Sequence, residues 1–242
     1  QSAKGVVNMA GFSDNIVPLW ISEADLAKMD KYAYNPAKGE ELLKSIGFKK
    51  GSDGIWLDDK GKKMEWELAV PAEYADWSAA AENAAQQLTK FGWKTVVRGI
   101  TFTEMMSLID QSKFQMAIYT WGAAHPHPHF SFVTDLFARN YIQLAVGKGM
   151  NFPMVQDTKC CGKVDFEKEI VNSAEGLDEK AQKAGVTKVA MAFNELLPIV
   201  PLWERYGNNP VQDKLHTQGW PPDTDPIYKN SPYADSFVVM MI

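Results

Sequence analysis

Between Met64 and Tyr119 the sequence alternates strand-like and helix-like segments, and this order restricts the fold more than any other feature. The segments Met64–Val70, Trp93–Ile100 and Gln115–Tyr119 predict strands, and the stretches between them predict helices. Short connections and right-handed crossovers make such strands parallel in one sheet. We therefore expect an α/β fold with a mostly parallel sheet flanked by helices.

Caps and stop residues predict where the helices begin and end. The first predicted helix is capped by Asn35 and ends at Gly47, and the second is capped by Asp76 or Ser78 and runs to Phe91. Three more predicted helices are Thr103–Asp110, Asp165–Ala174 and Asp178–Leu197. The first has an apolar stripe of Leu42, Leu43 and Ile46. The second has a narrow face for packing on the sheet, made of Ala80, Ala84, Leu88 and Phe91.

The remaining segments predict a hairpin, a loop region and an extended tail. Ile55–Leu57 and Met64–Val70 flank a polar turn and predict a β-hairpin. Residues 135–160 predict loops, and Pro198–Trp203 predicts an extended exit whose prolines exclude a central strand. From Gly207 onward the density of proline rises, which is typical of a loosely structured segment.

Aromatic and polar side chains follow two of the predicted strands. Ligands of parallel sheets bind outside the carboxyl ends of the strands. One such end is the segment 71–77, and the other is 120–129, where the stretch FQMAIYTWGAAHPHPHF runs out of a buried strand. We expect a binding surface there, and its candidate residues are Tyr74, Asp76, Trp77, Trp121 and His125.

The histidines and cysteines do not predict a metal site. His125, His127 and His129 alternate with prolines, and in an extended chain such residues lie about 6.6 Å apart, too far for one metal ion. We expect a stiff loop there, with no metal and no cofactor. Cys160 and Cys161 form no CxxC motif, and because neighbouring cysteines rarely bridge each other we expect two thiols, with a bridge to another part of the protein as the alternative.

Composition and the lack of catalytic motifs exclude several classes of function. The chain of 242 residues has a net charge of −5 and no long basic run, which argues against nucleic-acid binding. No apolar run approaches the ~20 residues of a membrane span. GxGxxG, P-loop, HExxH and GxSxG motifs are absent from the sequence, so we do not expect an enzyme; a sugar or peptide hydrolase is the remote alternative. The first residue is Gln, which indicates a processed chain or a fragment.

A series of motifs in fixed order resembles the extracellular solute-binding proteins of the dipeptide/oligopeptide class, which serve ABC importers. The motifs are Tyr34–Leu43 with Gly47-Phe48, then Trp66–Val70, Asp76-Trp77, Ala84–Gly92, Thr95–Arg98 and Phe114–Gly122. The resemblance implies a periplasmic-binding-protein-like fold whose two lobes close on a ligand. It implies that residues 1–198 form most of the second lobe and that 199–242 form the crossover and Pro-rich return segment of the first.

The same resemblance implies partners and a location. The partners would be a membrane permease, a small-molecule ligand and the rest of the first lobe, which would be missing from this chain or supplied elsewhere. The location would be periplasmic or extracellular, in association with the membrane. Trp203 would lie near the crossover between the lobes and is a further candidate for ligand contact.

Two details favour an oligosaccharide over a peptide as the ligand. In peptide-binding members an Asp that pairs with the peptide's amino group follows the equivalent of Trp121 by three residues, and here that position is Ala124. Asp76-Trp77 and the segment Trp220–Pro226 resemble the branch that binds cellobiose and related β-linked oligosaccharides. The expected ligand is therefore cellobiose-like, with a di- or oligopeptide as the alternative.

Overall fold

The structure, a computed structural model, describes residues 3–4, 7–119, 126–140, 149–205, 212, 214–215, 219–222 and 224–225. The strands, in chain order, are β1 (Ala3–Lys4), β2 (Lys49–Lys50), β3 (Trp56–Leu57), β4 (Glu65–Pro71), β5 (Lys94–Ile100), β6 (Met116–Ala117), β7 (Val155–Thr158), β8 (Gly162–Asp165) and β9 (Glu204–Arg205). The helices are α1 (Val17–Trp20), α2 (Glu23–Leu26), α3 (Pro36–Ser45), α4 (Ala75–Phe91), α5 (Phe102–Asp110), α6 (His129–Phe132), α7 (Phe166–Asn172) and α8 (Glu179–Leu196). A π-helical segment, Val133–Ala138, directly follows α6.

The chain divides into two compact units. The first unit contains residues 1–31, 121–138 and 152–242, and the second contains 32–120 and 139–151. These boundaries differ from the predicted division after residue 198. The assignment of 1–198 and 199–242 to lobes of a larger protein stays a prediction.

A parallel sheet of three strands, in the order β5-β4-β6, is the centre of the second unit. β4 pairs along its whole length with β5, and its middle pairs with β6. Because β4 has a neighbour on each side and α4 and α5 pack on the sheet, Leu68, Ala69 and Val70 are all buried. The predicted order of strands and helices and the parallel sheet are confirmed. The last strand is shorter than the predicted Gln115–Tyr119.

The start of α4 differs from the prediction. Tyr74 is its N-cap residue and makes no side-chain hydrogen bond to the helix, so neither Asp76 nor Ser78 is the cap. Asp76 instead lies in the first turn, where a negative charge favours the N-terminal end of the helix dipole. The predicted stop at Gly92 is confirmed, since this residue ends the helix in the left-handed conformation.

The packed face of α4 also differs from the prediction. Its buried residues are Trp77, Ala81 and Ala85. The residues of the predicted face, Ala80, Ala84, Leu88 and Phe91, lie beside the buried face and are half-buried. The buried face is thus shifted by one residue from the predicted one, because burial of the indole of Trp77 removes far more apolar area from water than burial of an alanine.

The helix α3 has the predicted ends but not a buried stripe. The side chain of Asn35 accepts a hydrogen bond from the amide of Lys38 at 3.0 Å, which confirms the cap. Leu42 and Ile46, however, are 55% and 61% exposed, and α3 contains no buried residue. Its apolar stripe therefore adds little to the core of the second unit.

The hairpin predicted before β4 is reduced to its turn. Inside the turn the amide of Asp58 donates to the carbonyl of Lys62 at 2.9 Å. Beyond it, a single bridge joins Leu57 to Lys63, and β3 pairs instead with β2 in antiparallel fashion.

The region predicted as loops, 135–160, contains regular structure in the first unit. The π-helical segment extends to Ala138, and β7 forms an antiparallel hairpin with β8. At the tip of this hairpin the sulfur atoms of Cys160 and Cys161 are bonded to each other, so the prediction of two thiols is wrong. The carboxylate of Glu195 accepts hydrogen bonds from the amides of Lys159 and Cys160, at 2.8 and 2.9 Å, and holds the tip against the end of α8.

The core of the first unit is built around three phenylalanines. The rings of Phe12 and Phe193 lie 5.8 and 6.4 Å from the ring of Phe132, and all three side chains are buried. Gly11 passes against this cluster at a φ of +85°, where a Cβ atom would lie 2.7 Å from the ring of Phe132. The predicted helices α7 and α8 are confirmed, with Asp165 and Asp178 as their caps.

Candidate functional site

The three strands of the parallel sheet end at one edge of the second unit. Pro71 at the end of β4 lies opposite Ile100 at the end of β5, and Ala69 lies opposite Ala117 of β6. The segments that leave these strands therefore start side by side. This is the edge at which parallel α/β sheets bind ligands.

Hydrogen bonds tie two of these segments together. The amide of Ala72, after β4, donates to the carbonyl of Ile100 at 2.8 Å. The carboxylate of Glu73 accepts from the amide of Phe102, the first residue of α5, with oxygens at 3.0 and 3.1 Å. A carboxylate at this place also favours the N-terminal end of the helix dipole. The two loops are thus held at a fixed spacing.

The rings on these segments form a continuous row, which we call the aromatic row: Trp77, Tyr74, Phe102 and Tyr119. The centroid of Tyr74 lies 5.0 Å from that of Trp77 and 5.8 Å from that of Phe102. The rings of Phe102 and Tyr119 are stacked at 5.7 Å with an interplanar angle of 12°. The row crosses the carboxyl ends of all three strands, and each distance is typical of favourable aromatic pairs.

The members of the row differ in exposure. Trp77 is 9% exposed and lies on the packed face of α4, so it supports the ring of Tyr74 and presents little free area itself. Tyr74, Phe102 and Tyr119 are half-buried. Tyr119 also packs against the core cluster that contains Met105 and Leu108 of α5. One side of the row thus packs against the rest of the unit, and the other side remains accessible to solvent.

Tyr119 carries a perturbed hydroxyl group. Burial raises the pKa of this phenol, and the negative charge of Asp110 adds to the increase. The guanidinium carbon of Arg139 lies 4.7 Å from the centre of the ring, and its positive charge lowers the pKa in part. The net direction is upward, so at neutral pH the phenol stays protonated and can donate a hydrogen bond.

The structure brings together part of the predicted site. Tyr74 and Trp77 belong to the aromatic row, and Asp76 is half-buried in the first turn of α4 beside them. Trp121 and His125 lie outside the described residues. Trp203 is half-buried next to β9, in the first unit.

Sequence reasoning missed Glu73, Phe102, Tyr119 and Arg139. Phe102 and Tyr119 could have been found, because each lies within two residues of the end of a parallel strand. Glu73 lies in the segment that was singled out, but only the structure shows its bond to Phe102. Arg139 is distant in sequence from all three strands, and no pattern pointed to it.

The two described histidines of the His/Pro loop make contacts inside the first unit. The ring of His127 lies 4.2 Å from that of Trp20, whose indole N–H donates to the carbonyl of Pro126 at 2.9 Å. Burial lowers the pKa of His127, and the neighbouring His129 adds to this effect, while the side chain of Gln182 opposes it. The Nδ1 atom of His129 lies 2.8 Å from the carbonyl oxygen of Ile170, a hydrogen-bond distance.

Within the part of the chain that the structure describes, no three His, Cys, Asp or Glu side chains are grouped so that they could hold a metal ion. Among the same residues, no helix is both long and apolar enough to cross a membrane. The arrangement at the sheet edge offers stacking surfaces and hydrogen-bonding groups. It can therefore hold a ligand with flat apolar faces and polar edges.

Residues 3–142 match the family model of bacterial extracellular solute-binding proteins, family 5 (Middle). The chain belongs to this family. The family membership that its motifs indicated is thereby confirmed, and the parallel sheet with its flanking helices confirms the predicted α/β fold. The cellobiose-binding branch is not decided by this match.

A curated relative of this chain comes from Deinococcus radiodurans. It is described as a probable ABC transporter-binding protein and is 41% identical over 83 residues. The match covers 34% of this chain and 14% of the relative. The chain therefore matches only a small part of the relative's length.

Solved structures share the fold at low sequence identity. A Thermotoga maritima periplasmic oligopeptide-binding protein with bound mannohexaose gives a TM-score of 0.62 at 17% identity, and covers 84% of this chain and 36% of its own. A Thermus thermophilus oligopeptide-binding protein in complex with a pentapeptide has a TM-score of 0.55 at 19% identity, and the match covers 83% of this chain and 36% of that protein. An Agrobacterium fabrum periplasmic binding protein in complex with stachyose has a TM-score of 0.58 at 16% identity, and the match covers 74% of this chain and 27% of that protein. This chain thus spans about a third of the length of the first two.

Proposed function

We propose that this chain is part of the substrate-binding component of an ABC importer and that it binds an oligosaccharide of the cellobiose type. The observation that carries the proposal is the aromatic row at the carboxyl edge of the parallel sheet. Pyranose rings stack their apolar faces on aromatic side chains, while their hydroxyl groups need donors and acceptors at the rim. The exposed side of the row offers aromatic faces for stacking, and Glu73, Asp76 and the Tyr119 hydroxyl offer hydrogen-bonding groups.

We infer the individual contacts from this arrangement. Tyr74, Phe102 and Tyr119 provide the stacking surface, and Trp77 contacts the ligand only along its edge because it is 9% exposed. Trp121 remains our candidate for a further stacking residue, and Asp76 and His125 remain candidates for hydrogen bonds. Trp203 remains the candidate near the crossover.

The choice between sugar and peptide rests on chemistry. A buried ammonium group without a carboxylate partner is costly, and Ala124 supplies none at the position where peptide-binding members carry Asp. The mannohexaose and stachyose complexes are in line with a sugar ligand, and the pentapeptide complex is in line with the alternative. A di- or oligopeptide is therefore the second candidate.

The proposed mechanism is capture without chemical change. Ligand binding between two lobes would stabilise a closed form, which a membrane permease would recognise, in the periplasm or outside the cell at the membrane. A ligand shifts such an equilibrium by its difference in affinity for the two forms, and about 5.5 kcal/mol suffices to move it from 1:99 to 99:1. Residues 1–198 would supply most of one lobe and 199–242 a return to the other.

Calorimetry on the full-length protein tests the proposal. Cellobiose and longer β-glucans should bind, and di- to pentapeptides should bind weakly or not at all. Phe102→Ala should weaken sugar binding by roughly tenfold or more, as expected for loss of a stacking ring. Val96→Ala, an exposed apolar residue of β5, serves as the matched control and should leave the affinity unchanged.

The results separate the alternatives. Binding of peptides without binding of sugars would replace the proposed ligand class by the second candidate. Release of glucose from cellobiose during incubation would overturn the assignment as a binding protein. Equal affinity in Phe102→Ala and the wild type would remove the aromatic row from the site.

A further inference from the structure

Two arginines of the second unit have opposite surroundings. Arg98, on β5, is exposed and forms ion pairs with the carboxylates of Glu67 and Glu104 at 3.1 and 3.2 Å. Arg139 is half-buried, and the ion pairs among the described residues do not include it. Its Nε atom is buried and has no hydrogen-bond partner within the described part of the chain. The charge of Arg98 is satisfied by protein groups, whereas no ion pair with Arg139 is found among the residues that the structure describes.

The backbone around Arg139 is fixed. Its carbonyl accepts a hydrogen bond from the amide of Met150 at 3.0 Å. Gly149 lies so close to the carbonyl oxygens of Arg139 and Asn140 that a Cβ atom there would clash with both. The hydroxyl of Ser112, after α5, donates to the carbonyl of Gly149 at 2.7 Å. These contacts hold the backbone of Arg139 beside the end of α5.

The position of the guanidinium suits recognition of an anionic group. Its carbon lies 4.7 Å from the ring centre of Tyr119, within the range of a cation–π contact. An arginine that contacts an aromatic face keeps its N–H groups free to bind a carboxylate with two parallel hydrogen bonds. A half-buried cation with no counter-ion in the described part of the chain therefore favours a ligand that brings one.

One protein carboxylate acts on the same ring. Asp110 raises the pKa of Tyr119, as described above. It does not pair with Arg139, and its Oδ1 atom is buried without a hydrogen-bond partner among the described residues. Asp110 thus reduces the local positive potential but does not occupy the hydrogen-bonding groups of Arg139.

We propose that Arg139 is a specificity-determining residue that binds a carboxylate of the ligand at the Tyr119 end of the aromatic row. This inference rests on the proposed function, because it needs a ligand at the carboxyl edge of the sheet. The carboxylate belongs either to a uronic acid in an oligosaccharide or to the C-terminus of a peptide. Both sources present the same planar anion.

Paired probes on the full-length protein test the inference. Cellobiose is compared with cellobiouronic acid, and trialanine amide with trialanine, by calorimetry. In the wild type the acidic member of a pair should bind roughly tenfold more tightly or better, the gain expected for a charge-assisted bidentate contact. Arg139→Gln should remove most of this ratio while leaving the affinity for the neutral member nearly unchanged. Arg98→Gln is the matched control and should keep the ratio.

Arg139→Lys distinguishes recognition of the carboxylate from a purely structural effect of the substitution. It keeps the charge but loses the planar fork, so it should give an intermediate ratio; circular dichroism checks that each variant is folded. A ratio restricted to the sugar pair, or to the peptide pair, identifies the source of the carboxylate. Binding of both members with equal affinity in the wild type, or an equal loss for both in Arg139→Gln, overturns the role of Arg139 alone. If no probe binds, the proposed function fails and this inference fails with it.

Discussion

Aromatic side chains gather in both units, but they are used differently. In the first unit Phe12, Phe132 and Phe193 are at most 2% exposed and close around Gly11. In the second unit Tyr74, Phe102 and Tyr119 line up across the ends of three strands and stay half-buried. The first group has only apolar atoms, whereas two members of the second carry hydroxyl groups. Burial and chemistry together separate a packing cluster from a candidate recognition surface.

The contrast predicts that one ring from each group will fail in a different way. Phe193→Ala should cost about 3–5 kcal/mol of unfolding free energy, the usual range for a fully buried phenylalanine. Phe102→Ala should cost clearly less, because its ring is half-buried, but it should weaken ligand binding. Urea denaturation followed by circular dichroism measures the first effect and calorimetry the second. Equal destabilisation by the two variants would erase the distinction between the groups.

The close approach of Gly11 to Phe132 allows a second test of how tightly the first group is packed. Gly11→Ala places a methyl group 2.7 Å from the ring of Phe132 at a φ of +85°. Backbone strain and overpacking together should cost about 2–4 kcal/mol. Gly176→Ala is the matched control in the same unit, because Gly176 has a φ of +71° and no atom near its added Cβ. Its cost should be about 1–2 kcal/mol, from backbone strain alone.

The thermal midpoints of the two glycine variants give the steric part by difference. A wild-type midpoint in Gly11→Ala would show that the cluster yields easily around residue 11. A drop as large in Gly176→Ala would assign the whole effect to the backbone conformation instead of the phenylalanines.

The two groups were not equally predictable from sequence. The order of strands and helices from Met64 to Tyr119 follows from apolar periodicity and stop residues, and it led to the edge of the sheet where the aromatic row lies and to Tyr74. Phe193 lies in the predicted helix Asp178–Leu197, and it is buried on one face with Val186 and Val189, which repeat at helical spacing. Such local patterns carry the fold because each depends on neighbours in the sequence.

The rest of the site depends on contacts between distant residues. The stacking of Phe102 on Tyr119 and the position of Arg139 over that ring join segments that no periodicity connects. The rotation of α4 that buries Trp77 depends on competition between two possible faces, and the apolar area of the indole decides it. Likewise, the bond between Cys160 and Cys161 contradicted a general rule about neighbouring cysteines.

The hydrogen bond between the two strand-end loops, from the amide of Phe102 to Glu73, should contribute less to stability than the packed phenylalanines do. Glu73→Ala removes the carboxylate that accepts from the amide of Phe102. We expect a loss of about 1 kcal/mol of stability and faster hydrogen exchange at the Phe102 amide. Glu82→Ala, at an exposed position of α4, is the matched control. Unchanged exchange at Phe102 in Glu73→Ala would show that the sheet alone sets the spacing of the row.

The smallest expected effect concerns pH and the first unit. Burial, with the help of His129, lowers the pKa of His127 below its unfolded value of about 6.5. The unfolded chain therefore binds a proton more readily than the folded chain as the pH falls through about 6.5, and stability decreases in that direction. Above this pH both states are neutral at His127 and its contribution is constant. Urea denaturation at about pH 7.5 and about pH 5.5 should show the decrease, and His127→Asn should reduce it. An unaltered pH dependence in His127→Asn would mean that the contact of His127 with Trp20 tolerates the charged ring, and that the first unit owes its pH response to other groups.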